Sequence, residues 1–160
     1  MRSNHKIKNS DERGMVTLDF ALAASIYFMM LIAIAAGGNF FWTHNALVEA
    51  TRRGARYATI HLNTATDAEV KNVVVYGTPT PAAGASPFIN NLENANVTVQ
   101  HSFNAADSTK NFGVGKGTVS VSITGYEYDF VIPGINETIQ MPPYRTTLSG
   151  ESAGYVPVDK

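Results

Sequence analysis

Few of the ionisable and hydroxyl side chains in this chain of 160 residues are spaced to do chemistry. Gly113-Val114-Gly115-Lys116-Gly117-Thr118 invites a phosphate-binding loop, in which backbone amides cradle the phosphate and a lysine reaches its charge. The pattern fails in detail: it needs a glycine five residues before the Gly-Lys pair, and Lys110 stands there. Gly117 occupies the place of the magnesium-binding Ser or Thr, and the segment leads into a strand pattern rather than a helix, so a hairpin loop is the better reading. His5, His44, His61 and His101 share no metal-ligand spacing. Glu127 and Asp129 alternate with Tyr126 and Tyr128, which turns the two acids toward water on a strand. No Gly-x-Ser-x-Gly elbow exists. Two polar groupings remain. Asp19 stands five positions after Gly14, at the start of an apolar run, and Glu49, Arg52, Arg53 and Arg56 cluster beyond its end.

Both groupings have to be positioned by one long element. From Met15 to Phe41 the strongly polar side chains are Asp19 and Asn39, with Thr17 and Ser25 as milder exceptions. A membrane span needs about 20 apolar residues, so the run is long enough. Gly37 and Gly38 need not break a helix whose backbone is satisfied internally. A lone acid in such a helix costs roughly 2.5–3.5 kcal/mol at the bilayer centre and less near an end, so Asp19 requires a compensating role. Past the run, Trp42, Ala46, Leu47, Ala50, Gly54, Tyr57 and Ala58 recur at helical spacing with the charged cluster on the other positions. Glu49 and Arg53 are four apart, in the favourable order for a helical ion pair. One helix from about Met15 to Ile60 is predicted, roughly 65–70 Å long at 1.5 Å per residue, crossing the bilayer and continuing as a stalk. Phe40, Phe41 and Trp42 suit an interfacial belt on its far side. The three arginines would then meet outer headgroups, a partner's acidic face, or solvent alone.

Composition narrows the function classes. The absence of cysteine removes disulfide frames and thiolate metal sites. A formal charge of −1 argues against a nucleic-acid partner. Residues 1–14 carry Arg2, Lys6, Lys8 and Arg13 against Asp11 and Glu12, whereas residues 61–160 hold five basic and nine acidic side chains. The positive-inside rule therefore puts the first residues in the cytoplasm and the remainder across the membrane. A cleaved secretory signal has an apolar core of about 7–15 residues and a small-residue cleavage site. This run is too long, and Asn39-Phe40-Phe41-Trp42 does not suit such cleavage. A plain signal anchor accounts for length and orientation, but not for glycine directly before the run with an acid five positions on.

Gly14, Met15, Asp19 and Phe20 resemble the processing site of type IV prepilin-like proteins. The segment Arg13–Leu22, together with Asn45-Ala46-Leu47-Val48-Glu49-Ala50-Thr51-Arg52-Arg53-Gly54-Ala55-Arg56-Tyr57-Ala58, is similar to the TadE-like family of minor pilins, or pseudopilins, of the tight-adherence system that builds Flp pili. The family usually carries glutamate where Asp19 stands, one methylene longer. The resemblance implies that a cytoplasm-facing membrane aspartyl peptidase cuts after Gly14, where glycine lets the chain approach closely. It leaves a free amine on Met15. In a packed bundle Asp19 of one subunit would pair with that amine on a neighbour, enforcing register even where the net stability is small; the rival is that Asp19 snorkels to the headgroups.

The distal region reads as a small head. Thr66-Asp67-Ala68-Glu69 has capping-box spacing, and Val70, Val73 and Val74 follow at helical intervals toward Gly77, which predicts a helix over 67–76, with a valine-rich strand 72–76 as the alternative. Residues 77–87 form a Gly/Pro-rich loop. Strands are predicted where Val97, Val99, His101 and Phe103 alternate with polar residues, and again at Val119, Val121 and Ile123, joined by the loop 104–117. Beyond Gly125 the apolar parity flips to Tyr126, Tyr128 and Phe130, which predicts a bulge at Gly125. These three aromatics belong to the core rather than to an exposed adhesive stripe. Pro133-Gly134 turns the chain, residues 138–141 add a strand, Tyr144–Leu148 forms an edge strand, and a loose tail follows.

The expected fold is therefore α+β: a long N-terminal transmembrane and stalk helix with a small antiparallel β-sheet head, pilin-like. Its parts are a cytoplasmic leader 1–14 without folding signal, the helix 15–60 and an extracytoplasmic head 61–160. The expected function is a non-enzymatic minor pilin of an Flp-type pilus, supporting adhesion and biofilm formation, without cofactor or metal. Its location is the bacterial inner membrane, single-pass, with a periplasmic head that can enter the extracellular pilus. Implied partners are the prepilin peptidase, a second pseudopilin, the Flp-type major pilin, the inner-membrane platform and the lipid bilayer. The alternatives are an uncleaved inner-membrane anchor with a periplasmic binding or scaffold head, and a tethered enzyme, for which no convergent ionisable groups can be picked out.

Overall fold

The computed structural model describes residues 10–61, 65–103, 117–132 and 135–149. The chain begins with one unbroken helix, α1, Ser10–Ile60, of 51 residues, or roughly 75 Å at 1.5 Å per residue. It starts upstream of the predicted Met15. Once the apolar run has nucleated helix, each added turn gains hydrogen bonds at little entropic cost, so the helix extends into a stretch that carries no folding signal of its own. Hydroxyls inside α1 are satisfied locally: Ser25 Oγ donates to the Ala21 carbonyl at 2.7 Å and Thr43 Oγ1 to the Asn39 carbonyl at 3.0 Å.

The short helix α2, Asp67–Tyr76, forms where the capping signal places it. The Thr66 side chain accepts from the Glu69 amide at 3.3 Å, and the Glu69 carboxylate accepts from the Thr66 amide at 2.8 Å, so two orphan donors are met reciprocally. Gly77 ends the helix at φ 80°, in the left-handed region. These caps and the burial of Val70, Val73 and Val74 decide against a strand over 72–76.

Five strands follow: β1 (Val97–Phe103), β2 (Gly117–Ile123), β3 (Glu127–Ile132), β4 (Ile135–Gln140) and β5 (Tyr144–Ser149). All pairings are antiparallel. They make two sheets, β1-β2-β5 and β3-β4, where a single sheet with a bulge was predicted. Gly125, at φ 67°, is not a bulge in a continuous strand. β2 stops at Ile123, and the turn at Gly125 carries the chain into the second sheet, held by Asn96 Nδ2 donating to the carbonyls of Thr124 and Gly125 at 3.3 and 3.0 Å. The parity flip is thus a change of sheet. β5 is an edge strand, as predicted, and so is β1. The predicted loop 104–117 lies outside the described residues up to 116, as do the phosphate-loop glycines Gly113 and Gly115, the Pro133-Gly134 turn, the leader as far as residue 9 and the tail from 150.

The core lies between the last third of α1, α2 and the three-stranded sheet, and contains Leu47, Ala50, Ala55, Val70, Val74, Leu92, Val97, Val119, Val121 and Ile123. Tyr126 and Tyr128 are buried too, and Phe130 packs against them, as the core reading required. Gly54 is the closest approach of helix to head: a Cβ there would collide with Val74 Cγ2 and touch Val121 at 3.5 Å. The lower two-thirds of α1 has no such cover. From Met15 to Ile34 its large apolar side chains are exposed, Phe20 by 73%, as are Phe41 and Trp42. An apolar surface of this extent needs lipid or other subunits against it.

Candidate functional site

The first grouping lies on the lower end of α1. Gly14, Met15, Asp19 and Phe20 all fall inside regular helix and are all exposed. Met15 and Asp19 therefore stand about one turn apart on one rod, with Phe20 next to Asp19, and a Cβ at Gly14 would meet nothing within 4 Å. The backbone across Gly14–Met15 is closed into helix, whereas a protease groove takes an extended strand, so scission requires this end to unwind. Glycine eases that, since its helical state is about 1 kcal/mol less favourable than alanine's.

The second grouping lies where α1 meets the end of α2. Glu49, Arg52, Arg53, Arg56, Tyr57, Ile60, Val73, Gly77 and Pro79 line a groove of about 460 Å³. Arg53 is half-buried and turns into the head. Its guanidinium lies 5.2 Å from the Phe88 ring centroid, and a Cβ at Gly77 would come within 3.3 Å of an Arg53 terminal nitrogen. The cation thus stands at the C-terminal end of α2, whose last turn has no basic residue of its own, and complements the helix dipole there. The predicted Glu49–Arg53 pair does not form: no oxygen of Glu49 comes within 4.0 Å of the guanidinium. Arg53 instead meets Phe88 and the C-terminal end of α2. Its Nε is buried and lacks a hydrogen-bond partner. Arg52 and Arg56 are exposed, one helical turn apart.

The remaining polar contacts serve the head. His44 Nδ1 lies 2.7 Å from the Tyr144 hydroxyl, and Thr51 Oγ1 lies 2.9 Å from Thr146 Oγ1, tying α1 to β5. Burial raises the Tyr144 hydroxyl above its ordinary pKa. Tyr126, whose hydroxyl donates to the Asn90 carbonyl at 2.8 Å, is raised by burial first, then by Tyr128, Asp129 and Tyr144. Among the described residues no group of three or more His, Cys, Asp or Glu could hold a metal ion. His44, His61 and His101 lie apart, against Tyr144, Tyr57 and Asp67.

The helix α1 is long and apolar enough to cross a membrane and is continuous with the scaffold of a small α+β head. Residues 14–56 match the family model described as TadE-like protein, a stretch that runs from the glycine before the apolar run to the last arginine of the cluster. That match links the chain to the tight-adherence pilus machinery. No curated protein and no solved structure matches it.

Proposed function

We propose that the chain is a minor pilin of a tight-adherence, Flp-type pilus, made as a precursor with a cytoplasmic leader 1–14, cut after Gly14 by a prepilin peptidase, and held in the inner membrane by residues 15–41 with its head in the periplasm. The observation that carries this reading is the uncovered apolar length of α1 joined rigidly to the head and matched to the TadE-like family. A helix of this kind serves equally as a membrane span before assembly and as a packing surface afterwards. The amine freed at Met15 is a partner for Asp19 of an adjoining subunit, which gives a lone acid in an apolar helix its purpose. Partners are a second pseudopilin, the major pilin and the inner-membrane platform, and the product serves surface adhesion and biofilm formation. The chain is a substrate of the peptidase and not itself an enzyme.

The closed helix across Gly14–Met15 favours a second reading, an uncleaved anchor presenting a periplasmic scaffold. Asp19→Ala separates the two. The proposal expects the variant to be inserted and processed while pili on the cell surface fall at least about tenfold, in keeping with the loss of a buried charge partner. Normal piliation by Asp19→Ala would contradict it.

A further inference from the structure

Arg52 and Arg56 are exposed cations bordering a groove in which Arg53 keeps an unpartnered buried Nε, and Glu49 neutralises none of them within 4.0 Å. Such a group of donors can take an anion. Lipid phosphates are too far away. If Trp42 marks the outer interface, Arg52 and Arg56 stand ten and fourteen residues on, roughly 15–21 Å along the helix. The headgroup layer is only about 5–8 Å deep on each side. The carboxylates of a neighbouring protein chain can reach this height.

The chain itself has a matching surface. Glu127 and Asp129 project from the outer face of the β3-β4 hairpin, both exposed, opposite Gln140 and Thr138. Asp129 accepts from Asn91 Nδ2 at 3.0 Å and Thr138 Oγ1 at 3.2 Å, which leaves its carboxylate with accepting capacity, and Glu127 has no side-chain partner among the described residues. The two acids are two residues apart on a strand, about 6.6–6.8 Å. The two arginines are four apart on a helix, about 6 Å along its axis. The spacings agree, and the charges are opposite.

We propose that the Arg52–Arg56 face of one copy docks the Glu127–Asp129 edge of a second copy. The inference rests on the parallel packing of α1 in the proposed pilin. Asp129 lines a cavity with Asn39, Trp42 and Thr43, so the acidic edge sits at the membrane-proximal end of the head. Two parallel copies can therefore make this contact only if the copy offering its acids is displaced outward by roughly 15–20 Å. The contact is heterologous, joining different patches with an axial displacement, and so does not close into a symmetric dimer.

The natural absence of cysteine makes disulfide trapping unambiguous. Full-length copies carrying Arg56→Cys under one epitope tag are co-expressed with copies carrying Glu127→Cys under another, leaving Arg52 and Asp129 to hold the contact. A mixed-tag disulfide dimer is expected in oxidised sheared pili, where copies are displaced along the axis, falling at least about tenfold when Arg52→Glu is added, because like charges are then juxtaposed. Three results would overturn the docking: no mixed dimer although both copies enter the pili, an Arg56→Cys dimer with itself in place of the mixed one, or trapping of either cysteine on a different protein instead. The mass of the same chains is read alongside. A chain starting at Met15 that gives no mixed dimer removes this contact and leaves the proposed function standing. A chain still carrying residues 1–14 removes the proposed function, and the dimer is then judged on its own.

Discussion

At Gly54 a hydrogen atom stands where any other residue would press on Val74 and Val121. Gly54→Ala gains up to about 1 kcal/mol of helix propensity, but overpacking against a stiff valine costs about 1–3 kcal/mol. A net destabilisation on the order of 1 kcal/mol is expected in denaturant unfolding of the detergent-solubilised chain, whereas Gly37→Ala, whose Cβ would meet nothing within 4 Å, leaves the head transition where it is. The buried tyrosines set a pH limit. Burial raises the folded pKa values of Tyr126 and Tyr144 above the ordinary tyrosine value of about 10, so their neutral forms stabilise the head fully below about pH 10, and that stability is lost as pH rises from the unfolded pKa through the folded one. Thermal unfolding should move to lower temperature above about pH 10, and Tyr126→Phe with Tyr144→Phe should flatten that decline. Arg53 is the residue whose role local spacing misassigned. Glu49 sits on its own helix and is visible as a sequence pair, but Phe88 and the end of α2 reach it only through the tertiary fold.

The elements that could be read from the chain are those whose signal is local. α2 has both caps written into Thr66, Glu69 and Gly77, and Thr66→Ala, which removes a side-chain cap, is expected to cost about 1 kcal/mol, measured as a lowered denaturation midpoint with unchanged slope. Alternation located β1 and β2, and two prolines set off β5. The division into two sheets was not readable, because a bulge and a change of sheet leave the same trace: a glycine at positive φ and a shift in apolar parity. Long-range packing decides between them. Tyr128 meets Phe40 of α1 edge-on, with centroids 5.4 Å apart, and draws β3 away from the plane of β2. The start of α1 was misplaced for a related reason, since helix propagates past the residues that specify it.

For the whole molecule, the upper third of α1 is a wall of the head's core while its lower part is bare. Force or displacement applied to the membrane segment is thus transmitted directly to the head, with no linker between them. In the proposed pilin, a subunit built this way would be moved from bilayer to fibre as one body, with Asp19 and the amine of Met15 setting register below and the head choosing neighbours above. All of this depends on a new amino terminus. The measurement that tests it most directly is the intact mass of the chain extracted from membranes, in cells with and without the prepilin peptidase. The account expects a species beginning at Met15 that disappears when the peptidase is removed. A mass that includes residues 1–14 in both strains would contradict it.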